Sequence, residues 1–179
     1  EKQAYEVLVF HATGTGGRTM ETLLADGHIS GLLDITTTEL ADNVCGGVMD
    51  AGPERCLAGP RAGLPTVIVP GCVDMANFWS VESMPKAFQE RVLYRWNPNV
   101  TLMRTNVEEN REIGRRIAAA ANAATGPVVI LIPKRGVSIL DSEGGEFWDP
   151  AADQGCYDAI RAGLRSGVPV IEMDYNIND

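Results

Sequence analysis

Short runs of consecutive apolar, often β-branched residues alternate along this chain with segments of helical period, and that alternation constrains the fold most. The runs are Tyr5–Phe10, Gly31–Ile35, Pro65–Val69, Val100–Met103, Pro127–Ile132 and Val168–Met173. Several are apolar at successive positions, the pattern of parallel strands buried on both faces. Between them, Ile113, Ile117, Ala121 and Ala124 line one stripe of a helix, as do Leu40, Val44 and Val48, and Tyr157, Ile160 and Leu164. Start signals support these helices. Thr36 with Glu39 and Thr105 with Glu108 fit the capping box, and Pro53 and Pro150 fit the first helical position. The expected fold is α/β: an open, mostly parallel, Rossmann-like sheet of five or six strands with helices on both faces. Both a 3-2-1-4-5-6 order and a flavodoxin-like order fit the string. Residues 1–179 read as a single α/β domain, since the chain has 179 residues and an eight-fold barrel needs more.

Charge narrows the partners. Fifteen Lys and Arg against 24 Asp and Glu give a formal charge of -9, which repels a phosphate backbone and argues against nucleic acid. A pocket for one small phosphorylated molecule stays open, because a few backbone N–H groups suffice for it. No apolar run reaches bilayer length, and the start lacks a cationic stretch before an apolar one, so neither a membrane span nor a signal peptide is expected. Cys45, Cys56, Cys72 and Cys156 form no CxxC pair, and only His11 and His28 could join them. We expect reduced thiols in a cytoplasmic protein and no metal site.

In open parallel sheets ligands sit beyond the carboxyl ends of strands, so the residues just after each run carry the functional reading. The first run leads into His11, Thr13, Gly14, Thr15, Gly16 and Gly17, then a helix. Glycines let N–H groups approach an anion, and the helix dipole favours negative charge there. A side chain at Gly16 is expected to block that approach and leave the core intact. Asp34 stands where a dinucleotide site has its ribose-binding carboxylate, while Thr19 replaces the third glycine of that fingerprint. Thr37 and Thr38 offer hydroxyls either to a ligand or to the helix start. Gly71 and Asp74 follow the third run, and Arg104 and Thr105 the fourth. Arg104 suits a carboxylate or phosphate, or an ion pair with Asp34 or Asp74.

Three functions follow. The first is a small-molecule-binding domain for a nucleotide or another phosphorylated or carboxylated metabolite. The second is an acid–base hydrolase, lyase or isomerase using His11 and Asp74. The third is an interaction or dimerisation module. Met49, Cys56, Met75, Phe78, Trp79 and Met84 bunch in one region and suggest a self-associating face in a homo-oligomer.

Several stretches are more specific than any glycine motif: VFHATGTGGRTME at 9–21, LLDITTTELADNVCGG at 32–47, VPGCVDMANFW at 69–79, NPNVTLMRTNVEEN at 97–110 and DYNIND at 174–179. In these the chain resembles the UPF0261 family, also called Tm-1-like. The resemblance implies two α/β domains in a protein of about twice this length, with this chain as the C-terminal half and an N-terminal domain as its partner. It also implies an ATP-binding domain somewhere in the full-length protein. Trp96 precedes Asn97-Pro98 where many relatives carry a histidine, which leaves His11 without a second histidine for a shared site.

Overall fold

A computed structural model describes residues 5–179. Four of the expected runs build one parallel sheet. They are β1 (Leu32–Thr36), β2 (Thr66–Gly71), β6 (Val128–Pro133) and β7 (Val170–Met173), in the order β1-β2-β6-β7. A second sheet is antiparallel, with order β3-β5-β4, from β3 (Met75–Phe78), β4 (Leu93–Asn97) and β5 (Val100–Arg104). The helices are α1 (Thr15–Ala25), α2 (Thr38–Cys45), the short α3 (Ala58–Arg61), α4 (Val107–Asn122) and α5 (Pro150–Gly163).

The fold is α/β, with two corrections. The parallel sheet has four strands rather than five or six. Val100–Met103 belongs to the antiparallel sheet, and Tyr5–Phe10 forms no strand. The second correction concerns the layers. The strand order follows chain order without reversing, and right-handed crossovers then send successive helices to the same face. Leu32, Asp34, Ile68, Ile130, Ile132 and Val170 point into that face. Ile68, Ile130 and Ile132 pack there against Leu40, Ile113, Ile117 and Ile160 from α2, α4 and α5. Leu32 packs with Met20 and Leu24 of α1. The alternate residues turn the other way, and among the described residues no helix covers them. Leu33 is 71% exposed and Ile171 50%, with Val67, Val129 and Leu131 half-buried between them.

Local signals moved by a residue or vanished. The capping box at α4 is made by Asn106 and Glu109, one residue beyond Thr105 and Glu108. At α2 the N-cap is Thr37, whose hydroxyl instead donates to the Val69 carbonyl at 2.9 Å, and Thr36 ends β1. Pro150 does open α5, where Asp149 accepts from the Ala151 and Ala152 N–H groups, whereas Pro53 lies in a turn. In the Met and aromatic bunch, Cys56, Phe78 and Met84 are buried within this chain, Met49 and Met75 are half-buried and Trp79 is exposed. Half of the suggested associating face is therefore core.

If one face alone is packed, Ile130→Ala should cost about 2–5 kcal/mol of unfolding free energy. Leu33→Ala should stay within about 0.5 kcal/mol in the same 179-residue chain. Urea unfolding of both variants reads the difference, and equal losses would contradict it.

Candidate functional site

The glycine turn before α1 is organised by a side chain from α2. Glu39 Oε1 accepts the Gly14 N–H at 2.6 Å and the Gly17 N–H at 3.1 Å, while Oε2 accepts Arg55 Nε at 2.5 Å. A Cβ at Gly17 would overlap the Glu39 carboxylate, so glycine is required for this approach. Arg55 continues the network. Its Nη2 donates to Asp34 Oδ1 at 2.6 Å, and its Nη1 reaches Asp34 Oδ2 and, at 3.3 Å, Glu21. Glu21 in turn accepts the Cys56 and Ala58 N–H groups at 2.7 and 2.8 Å. Asp34, Glu39 and Arg55 are all buried. Burial works against the charge on Arg55, but Cys56, Asp34 and Glu39 outweigh it and hold the guanidinium well above its ordinary pKa.

The Thr15 and Gly16 N–H groups, in the first turn of α1, have no acceptor among the described residues. Thr13, Thr15 and His11 are exposed beside them. Gly16 itself is packed differently from the expectation. A Cβ there would overlap the His11 carbonyl oxygen, so a substitution would disturb the turn itself as well as any approaching ligand. Arg18, further along α1, donates to the Asp50 carbonyl. A cleft of about 530 Å³ runs from it past Glu21, Thr22 and Arg55.

A second polar cluster joins the two sheets. Arg104, at the end of β5, donates through Nε to the Phe147 carbonyl at 2.7 Å and through Nη2 to Asp153 at 2.6 Å, with Asp141 3.5 Å away. Its Nη1 reaches the Asp74 carbonyl and Thr105. Ser138 donates to Asp74 Oδ2 at 2.8 Å and accepts the Leu140 and Asp141 N–H groups. Asp74 is fully buried and its Oδ1 has no hydrogen-bond partner among the described residues. Burial, then the charge of Asp141, pushes its carboxyl up to about 7, and the same two causes raise Asp153.

The sequence candidates thus divide between two places. Gly14, Thr15, Gly16, Gly17 and Asp34 meet around Glu39 and Arg55. Asp74, Arg104 and Thr105 meet in the second cluster, where the Thr105 hydroxyl donates to the Val73 carbonyl at 2.7 Å. The Thr38 hydroxyl donates to Met75, and the Gly71 carbonyl accepts the Thr37 N–H, so these residues tie elements together. No hydrogen bond joins exposed His11 to buried Asp74. Among the described residues no group of three His, Cys, Asp or Glu is placed to hold a metal ion, and all four cysteines are free. The residues missed from sequence are Glu39, read as a cap, and Arg55, which follows no strand. Ser138 and Asp141 follow the Pro127–Ile132 run in sequence, whereas Asp153 joins the cluster only in space.

Glu39→Ala should lower stability by about 3 kcal/mol, because it removes the acceptor of buried Arg55 Nε together with that of the Gly14 and Gly17 N–H groups. It should also speed exchange of the Gly14 and Gly17 amides. Unfolding melts and hydrogen exchange check both effects, and unchanged exchange would remove Glu39 from its role. Asp74 gives a pH test. Its raised pKa means the folded state holds a proton that the unfolded chain releases, so this contribution is full below about pH 4 and is lost as pH rises through about 7. The thermal midpoint of the wild type should therefore fall relative to Asp74→Asn across that interval. A constant difference would contradict it.

Residues 1–179 match the Uncharacterised protein family (UPF0261) C-terminal domain. A UPF0261 protein of Clostridium tetani is 47% identical over 180 residues, covering 100% of this chain and 45% of that protein. One of Rhizobium meliloti is 52% identical, covering 99% of this chain and 45% of its own length. The ToMV resistance protein Tm-1(GCR237) of Solanum lycopersicum is 43% identical, covering 99% of this chain and 24% of its own length. The chain therefore spans just under half the length of these bacterial relatives and about a quarter of the plant one. It belongs to the UPF0261 family, as that family's C-terminal domain.

Proposed function

We propose that this domain binds a small anionic metabolite, a nucleotide or another phosphorylated or carboxylated compound, at the first turn of α1. It does so as the C-terminal half of a longer two-domain protein. The observation that carries this reading is the pair of N–H groups on Thr15 and Gly16, which have no acceptor among the described residues at this helix start. Glu39 takes the neighbouring donors of Gly14 and Gly17 and fixes the turn, and Arg55 balances its charge. Exposed Thr13 and His11 can add hydrogen bonds, and the cleft that begins at Arg18 gives room for the remainder of a nucleotide-sized ligand. A Rossmann-like use of the turn and a cytoplasmic setting belong to the same reading, since that compartment supplies phosphorylated metabolites and keeps thiols reduced. The buried position of Asp74 gives the acid–base alternative no exposed partner for His11.

The test is thermal stabilisation by a panel containing ATP, inorganic phosphate, sugar phosphates and dicarboxylates, in the wild type and in Thr15→Pro. Proline at the first helical residue removes one N–H at little cost to the helix. A binding compound should raise the wild-type midpoint saturably. Half-saturation should move at least about tenfold in the variant, the loss of one hydrogen bond to a charged group. Equal stabilisation of both proteins, or none by any compound, would contradict the proposal.

A further inference from the structure

The face of the parallel sheet away from the helices carries Leu33 and Ile35 on β1, Val129 and Leu131 on β6, and Ile171 and Met173 on β7. Leu33, Ile35, Ile171 and Met173 are exposed. No charged residue points from this face, in a chain of which 22% is charged. A sheet face of this composition is ordinarily buried.

We propose that this face is the seat of the half of the polypeptide that precedes this domain, which lays an apolar surface of its own across the four strands. Two observations select that occupant. The chain matches a C-terminal domain and accounts for 45% of the bacterial relatives, so more than half of their length lies outside the matching region. The stretch before α1 is a second uncovered apolar surface among the described residues, with Tyr5 77%, Val7 74% and Val9 79% exposed.

Area argues against a second copy as the occupant. Four strands span three gaps of about 4.8 Å, or about 14 Å, and four to six residues per strand add about 16 Å in the other direction. The face therefore offers on the order of 200 Å², against about 800 Å² per partner in a stable complex. A tethered partner escapes that requirement, because a short linker holds it at an effective concentration of about millimolar.

Cysteine labelling separates the possibilities. Leu33→Cys and Ile171→Cys lie at exposed positions, so their maleimide reaction, followed by peptide mass, reports cover on this face. The rates are compared in the 179-residue chain and in the longer polypeptide with the preceding half attached. Both should fall at least about tenfold in the longer protein, while Ala119→Cys, exposed on α4, keeps its rate. Amide exchange of β1 and β7 in the unsubstituted proteins should slow in parallel, which needs no variant to fold. Equal rates in both proteins overturn the proposal. Slow labelling in the 179-residue chain that quickens on dilution also overturns it, in favour of self-association.

Discussion

Strand order governs the rest of this structure. Because β1, β2, β6 and β7 lie side by side in chain order, every right-handed crossover returns to one face of the sheet. The helices compete for that face, and they solve the problem by packing on each other as well as on the strands. Gly114 of α4 lies so close to α5 that a Cβ would overlap the Cys156 carbonyl oxygen. The resulting core joins Ile68, Ile130 and Ile132 to Ile113, Ile117, Cys156 and Ile160. The consequence is a second sheet face with no layer of its own among the described residues.

Two buried charge networks then fix what the apolar core leaves loose. Glu39, Arg55, Asp34 and Glu21 tie the turn before α1, the end of β1 and the segment before α3 into one unit. Arg104, Asp153, Asp141, Asp74 and Ser138 tie the antiparallel sheet to α5 and to the loop after β6. Burying such charges is costly unless each is paired, and the short bonds to both guanidinium groups offset that cost. The networks also decide which polar groups remain for chemistry. Asp34 and Arg104, which looked like ligand contacts, spend their donors and acceptors inside the protein. Among the described residues, the Thr15 and Gly16 N–H groups do not.

The sequence was most legible where periodicity was strong and neighbours were close. Four apolar runs became the four parallel strands, with ends displaced by a residue or two, and the stripe of Ile113 and Ile117 became the inner face of α4. Tyr5–Phe10 has a similar composition and forms no strand, although β1 and β7 each keep one edge unpaired among the described residues, so strand propensity by itself does not decide pairing. The β3 and β4 strands escaped because MANF and LYRWN mix polar and apolar residues over four and five positions. In the candidate site, the glycine turn could be read locally. Arg55 and Asp153 could not, since each meets its partners across 21 and 49 residues of chain.

The central claim is that the parallel sheet is packed on one face alone within this chain. Methyl NMR with a soluble paramagnetic agent tests it residue by residue, because neighbouring positions on one strand point opposite ways. The account predicts that the Leu33, Ile35 and Ile171 methyl signals broaden strongly in the 179-residue chain, while those of Ile68, Ile130 and Ile132 stay sharp. Equal protection of the two sets would contradict it.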